Sequence, residues 1–570
     1  MIRLLINYQK ASMVMTGRLL PVLFILLITI SCHKTAEENS SKATNVPITS
    51  AAEVTTNPST KDYGDGYIDG SIGDASNLIP YLSADSASSS VQDKIYSSLI
   101  DFDKDLNIIP SLAKRWDISE DQRTITFHLR NDVKWHDNYP WTSADLVFQY
   151  EVMVNPEVPS AYKETFLLID GVSAPSKYTF IVTFKEPFAP GLVRVGGMSG
   201  LPKHLMGDIK PIDILKSSQA RNPVGNGPWK FKEWKSQEHI TVEANKNFWN
   251  VGPYVRWAMT RIIPDLATQF LELKSGSIDS MSLQPIQYKK QTDTKFIKAN
   301  FNKYKYTGNA YTYIGYNLKK PLFQDVRVRQ ALSYAIDKKE IIEGVLLGLG
   351  VVATGPIRPG TWAYNSNVKK YNYNPSRALE LLSEAGWKDT DADGVLDKQG
   401  KSFEFELMTN QGNVSRKKTA EIIQHRLKKL GIIVKIRIIE WSAFINSFIN
   451  KRKFDAIILG WSLGVDPDQY IIWHSSKTGE HELNFISYNN RHVDEILDHA
   501  RKTFDNAQRK KLYARFQEII AKEQPYTFLY VPEALPIVSN RFNGIVPGPA
   551  GVSYNFEKWW VRKAQHRRSF

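Results

Sequence analysis

FEFELM (Phe403–Met408), TAEIIQHRLKKL (Thr419–Leu430), IIVKIRII (Ile432–Ile439) and FDAIILGW (Phe454–Trp461) follow one another in the C-terminal half of the chain. The first, third and fourth are short apolar runs rich in β-branched and aromatic residues, and read as strands. The second has apolar residues at helical spacing and is closed by Gly431, which can take the left-handed conformation that ends a helix. A short helix over Phe444–Phe448 separates the last two strands. The order β-α-β-α-β predicts an α/β fold with a largely parallel sheet and right-handed crossovers.

The same signals extend outward. Asn374-Pro375 opens a helix that Gly386 closes, and Val328, Ala331, Leu332 and Ala335 recur at helical spacing. Asp337 with Glu340 makes a capping-box-like start for a helix through Ile341, Ile342 and Val345. Nearer the start, Thr124–Arg130 alternates apolar and polar residues as a half-buried strand does, and Tyr178–Phe184 is a second strand candidate. No internal repeat is found.

The chain has 570 residues, 42% hydrophobic and 23% charged, enough for two to four domains with their own cores. Residues 1–31 read as a targeting segment: Arg3, Lys10 and Arg18 precede an apolar run at Leu19–Ile30. As a helix that run spans only ~18 Å, short of the ~30 Å of a bilayer core. It ends at Ser31-Cys32, and Cys32 is the chain's only cysteine. This resembles a bacterial lipoprotein signal, in which the cysteine is lipidated, although Thr29 stands where such signals usually have Leu. The other reading is an ordinary secretory signal; both imply export. Residues 32–62 are rich in Ser, Thr, Asn, Ala and Pro and read as a flexible tether with a reach of roughly 30 Å.

One cysteine excludes an internal disulfide framework, a Cys-rich zinc site and a CxxC redox centre. The 11 histidines are scattered without metal-ligand spacing. Gly348–Ala353 matches GxGxxA but follows a helix, and Gly394 to Ser402 misses Walker spacing by one residue. No GxSxG elbow occurs, and nothing in the sequence requires an enzyme. The net charge of +14 is spread along the chain. Its densest cluster, Arg562, Lys563, Arg567 and Arg568, reads as a solvated basic end, and no nucleic-acid-binding signature accompanies it. One metal pattern stands out. Asp389, Asp391, Asp393 and Asp397 occupy positions 1, 3, 5 and 9 of an EF-hand-type loop with Gly394 at position 6, but position 12 is Gly400. It reads equally as a structural calcium loop or as an Asp/Gly-rich turn; no other cofactor is expected.

Several segments together resemble the family 5 extracellular solute-binding proteins, the substrate receptors of bacterial ATP-binding-cassette importers. They are VQDKIYSSLID (Val91–Asp101), PSLA (Pro110–Ala113), Trp116, TITFHLRNDVKW (Thr124–Trp135), GNGPW (Gly225–Trp229), Phe231–Trp234 and NKNFW (Asn245–Trp249). DVRVRQALSYAID (Asp325–Asp337), ALELLSEAGW (Ala378–Trp387) and FDAIILGWSLGVDP (Phe454–Pro467) complete the series. The resemblance runs from about Tyr67 to Val546.

It implies a two-lobed periplasmic-binding-protein-like fold (type II, cluster C) with an extra inserted domain. Residues 63–98, 200–305 and 536–570 would form the first lobe, 99–199 the inserted domain and 306–535 the second lobe, with hinges near residues 305 and 535. The implied function is capture of oligopeptides between the lobes and delivery to membrane permease subunits by a monomeric, lipid-anchored, periplasmic or cell-surface protein. Relatives in the class take oligosaccharides or metal chelates instead; a secreted hydrolase is the reading from another class. By the family pattern Trp461, Ser462 and Gly464 lie on the second-lobe wall, with Trp441 and Phe448 just before them. Tyr311 and Tyr313 lie where the chain crosses between lobes, and Tyr162 projects from the inserted domain. Peptide receptors of this family carry an Asp three residues after the Gly-Trp tryptophan to pair with the peptide's amine. Here that position is Gly464, and Asp466 before Pro467 is expected to brace the turn, leaving a site that does not demand a free N-terminus.

Overall fold

The computed structural model describes residues 61–568. Cys32, the targeting segment and nearly all of the tether lie outside the described residues.

The first of three main sheets has seven strands, in the order Phe301–Lys303, Pro536–Ser539, Ser280–Ser282, Gly66–Ser71, Trp257–Ile262, His239–Ala244 and Trp229–Lys235. These strands come from three separate stretches of chain, and buried charge joins them. The Arg541 guanidinium binds the Asp65 carboxylate, Asp279 Oδ1 at 2.9 Å and the Gly66 carbonyl at 2.7 Å. A buried cation is tolerable only when neutralised in this way.

The second sheet runs Tyr306–Thr307, Tyr526–Ala534, Ala310–Tyr316, Ala456–Ser462, Glu404–Asn410, Ile433–Ile439, with Gly350–Val352 also on Tyr526–Ala534. The expected β-α-β-α-β unit is present, but the sheet is mixed and not largely parallel. Only Glu404–Asn410 pairs in parallel, with Ile433–Ile439 and Ala456–Ser462. Ala310–Tyr316 and Tyr526–Ala534 come from distant sequence and run antiparallel to their neighbours. The helix before Ile433 spans Val414–Lys428 and starts earlier than its apolar pattern. After Val414 its first turn is Ser-Arg-Lys, and the Asn413 side chain caps it by accepting from Arg416 N. Likewise Asp337 caps its helix, but Glu340 turns to Arg426 at 2.7 Å and closes no capping box. Ala420, Ile423 and Leu427 pack on one face of the sheet; Tyr311, Tyr313, Phe516 and Ile520 belong to the core on the other.

The third sheet, Ala113–Ile118, Thr124–Leu129, Thr179–Phe184 and Ile169–Ser176, is antiparallel throughout. It shares a core with the first lobe. The GNGPW segment lies at this junction. A Cβ on Gly225 or Gly227 would meet the Ile95 carbonyl oxygen at 2.1 or 2.7 Å, so only glycine fits. His136 accepts from Gly225 N and donates to the Gly227 carbonyl, each at 3.1 Å, and burial pulls its pKa down to about 4.

The chain passes between the first and second sheets at two adjacent places. Lys303 pairs with Ile537 in one sheet and Tyr306 with Ala534 in the other, with Tyr304 N donating to the Pro536 carbonyl between them.

Candidate functional site

Between the lobes lies a cavity of about 1740 Å³. This exceeds the roughly 300–1,000 Å³ typical of small-molecule pockets. One wall is the end of the strand Ala456–Ser462 and the segment after it. Trp461 stacks nearly parallel to Phe485 at 5.5 Å and to Tyr313 at 6.5 Å, and its indole N–H donates to Tyr526 Oη at 3.3 Å. Ser462 and Gly464 continue this wall. Trp441 also lines the cavity and meets the opposite lobe, its ring 2.7 Å from where a Gly73 Cβ would lie.

The other residues singled out from sequence divide. Tyr162 lines the cavity and packs edge-on against Tyr81. Tyr311 reaches the lining but is 1% exposed within the second-lobe sheet. Tyr313 does not reach it. It lies in the core behind Trp461, stacked on Tyr526 at 3.9 Å, because both tyrosines belong to a central strand and not to a crossing segment. Phe448 is also outside the lining; it packs beneath the Arg437 guanidinium on the wide helical turn Phe444–Ile449.

Several charged groups of the cleft carry no sequence signal of their own. Asp93, on the helix Ser86–Ile95, lines the cleft, where the surrounding protein crowds its carboxyl. This desolvation pushes its carboxyl up to about 6, with Lys94 opposing and Asp101 adding to the shift. Burial also raises Asp101 and Glu557, which line the same region. Arg416 enters from the second lobe. Asp466 receives two bonds from Arg509, at 2.9 and 3.0 Å, and accepts from Asp468 N, so its carboxylate is already engaged.

A second charge cluster bridges the inserted domain and the second lobe. Arg501 binds Glu164 through Nη1 at 2.8 Å to both oxygens and Asp468 through Nε and Nη2 at 3.0 and 2.9 Å. Arg194 reaches Asp468 at 3.2 Å, and the Ala189 N–H donates to the Arg501 carbonyl. Burial works to raise the Asp468 carboxyl, but Arg501 and Arg194 overcome it and hold it well below the usual carboxylate range.

The acidic turn stands apart from the cleft. Asp389, Asp391 and Asp393 converge, with ligand oxygens within 4.8 Å of one another, and all three are exposed. Asp397 does not join them: its carboxylate accepts from Thr390 N and Oγ1 at 2.8–2.9 Å. Three of the four expected carboxylates could therefore hold a cation, and the remaining oxygens of a calcium shell would come from backbone or water.

The sequence profile of bacterial extracellular solute-binding proteins, family 5 middle, matches residues 107–482. The oligopeptide-binding protein AppA of Bacillus subtilis is 34% identical over 565 residues, covering 97% of this chain and 99% of that protein. Its structure in complex with a nonapeptide superimposes with a TM-score of 0.85 at 35% identity, covering 88% of this chain and all of that one. NikZ of Campylobacter jejuni, solved with Ni(L-His), gives 0.80 at 28% identity over 87% and 99% of the two chains. DppA of Helicobacter pylori, an ABC transporter-associated periplasmic binding protein solved with the peptide STSA, gives 0.80 at 28% over 89% and 99%. With a two-lobed fold, a cleft between the lobes and this similarity along nearly its whole length, the chain belongs to the family 5 bacterial extracellular solute-binding proteins.

Proposed function

We propose that this protein is the peptide receptor of an ATP-binding-cassette importer, capturing oligopeptides in the interlobe cleft and passing them to a membrane permease. The observation that carries this reading is the large cavity lined by both lobes, in a chain similar over nearly its full length to an oligopeptide-binding protein solved with a nonapeptide. Its lining mixes aromatic faces, hydroxyls and charges. Such a wall suits a ligand held through its backbone, with side chains in wet pockets. The lobes of this reading are residues 63–98, 200–305 and 536–570 on one side and 306–535 on the other, with 99–199 inserted in the first. Strand membership of the three sheets supports the division. Cys32 is the proposed lipid attachment point of a monomer tethered beside its permease. Among the described residues no helix is long and apolar enough to cross a membrane.

Calorimetric titration of ligand-free protein with peptides of about three to nine residues tests the function. Micromolar or tighter binding is expected, with the peptide recovered uncleaved. Cleavage, or no binding across the series, would contradict the reading. Because Asp466 is engaged by Arg509 and Gly464 offers no carboxylate, N-acetylated and free peptides should bind within about thirtyfold of each other, less than a buried amine–carboxylate pair contributes. Labelling cells with a fatty-acid analogue tests the anchor: wild type should be tagged and Cys32→Ala should not.

A further inference from the structure

We propose that the basic patch where the tether joins the first lobe, formed by Lys61, Arg256, Arg562, Lys563 and Arg567, docks on the anionic phospholipid headgroups of the anchoring membrane; this rests on the anchored reading above. Three stretches of chain far apart in sequence meet there. Lys563 N donates to Asp62 Oδ2 at 2.7 Å, and Arg567 N and Arg568 N donate to the Asp65 carboxylate at 3.3 and 2.8 Å. Gly64 N donates to the Tyr254 carbonyl at 2.9 Å, and Arg256 N to the Asp65 carbonyl at 3.0 Å. These bonds use backbone amides, so they gather the cations around the chain's entry into the fold without engaging their side chains. Arg256, Arg562, Lys563 and Arg567 are exposed, and among the described residues none of their side chains makes a hydrogen bond or ion pair. Arg568 differs: it pairs with Asp279 at 3.3 Å and donates to the Gly276 carbonyl at 2.7 Å. Exposed cations on the second lobe, such as Arg377, Lys435 and Arg491, are paired with glutamates.

The neighbouring carboxylates leave the patch positive. Asp62 already accepts from Lys563 N, Glu243 lies with Arg256 near Tyr63, and Asp65 is buried and bound by Arg541. Two tyrosines stand among the cations: Tyr63 is 47% exposed, and Tyr254 carries the Lys61 ammonium 5.0 Å from its ring centre. A ring with an apolar body and a polar tip suits the headgroup level of a bilayer. The occupant follows from the chain that leads to the patch. The tether, residues 32–62, runs from the proposed lipid on Cys32 to this point, with a reach of roughly 30 Å. An anionic bilayer attracts each nearby Lys or Arg about fivefold, within a Debye length of about 8 Å at physiological salt. Tethering raises the local concentration, so a contact too weak to recruit a free protein holds an attached one. The first lobe then rests on the bilayer instead of ranging over the tether's full reach.

The test uses the chain from Cys32 onward, made without the targeting segment and therefore without lipid, which keeps every described residue. Co-sedimentation is measured with vesicles of phosphatidylcholine alone and of phosphatidylcholine with about 30% phosphatidylglycerol. At low salt, binding to the anionic vesicles should be at least about tenfold stronger than to the neutral ones, and it should fade as salt rises. Replacing Arg562, Lys563 and Arg567 together by Gln should cost about tenfold or more. Replacing Lys418, Lys428 and Lys429 of the second lobe by Gln removes the same charge and should cost little. Melting temperatures report on the folding of both variants, and the comparison of vesicles with wild type needs neither. Equal binding of wild type to both vesicles, or equal losses in the two variants, would overturn the assignment. Cys32 left unlabelled by the fatty-acid analogue would overturn the anchored reading, a result separate from vesicle binding by the lipid-free chain.

Discussion

Trp461 stacks on Phe485 and Tyr313 and also lines the cavity, so its ring is both wall and packing. Trp461→Phe preserves the stack and removes part of the contact face. Peptide affinity should fall about tenfold while the melting temperature drops by only a few degrees. Calorimetry and thermal denaturation separate the two effects, and unchanged affinity would remove Trp461 from the site. Asp93 shows the opposite balance. Crowding raises its carboxyl to about 6, so between the unfolded value and pH 6 the native state binds more protons than the unfolded one. Ionisation of Asp93 therefore costs stability, and stability falls as pH rises through that window. Asp93→Asn should raise the melting temperature at neutral pH, with the gain shrinking toward zero near pH 4. A gain independent of pH would contradict the assignment.

At the scale of elements, the βαβ unit was legible because each strand is a compact apolar run and the first helix is closed by Gly431. What the sequence could not carry was the direction of the strands added from elsewhere. Ala310–Tyr316 looks the same whether it enters parallel or antiparallel, and its direction follows from where the chain crosses between lobes. The same limit applies to the site. Trp461, Ser462 and Gly464 were found through their motif, whereas Arg416 and Asp93 sit in unremarkable polar helix turns and meet the cleft only through tertiary packing. Tyr313 and Phe448 illustrate the converse: residues near the wall in sequence point to the core or away from the cavity. None of Asp389, Asp391 and Asp393 lines the cleft. Millimolar calcium should therefore raise the melting temperature and leave peptide affinity unchanged, with chelator reversing the shift. No thermal response would leave the segment a plain turn.

Across the whole molecule, an ion cluster ties the inserted domain to the second lobe. Arg501, Glu164 and Asp468 have side chains only 4%, 10% and 1% exposed, so salt screens them little. Asp468 is depressed, so its contribution is complete above the ordinary carboxylate range and is lost only as pH falls below it. Glu164 does not line the cleft, and Glu164→Gln weakens the clasp without touching ligand. Peptide affinity should fall roughly tenfold, and small-angle scattering should show a larger radius of gyration for the ligand-free variant than for wild type. Identical affinity and scattering would mean that the cluster only braces the second lobe. The central claim, that the cleft holds intact peptides, is tested most directly by native mass spectrometry of the mature protein purified from a peptide-rich extract. The account predicts protein carrying a distribution of bound masses that, released by unfolding, sequence as uncleaved peptides. A single non-peptide ligand, such as a sugar or metal chelate, would contradict it.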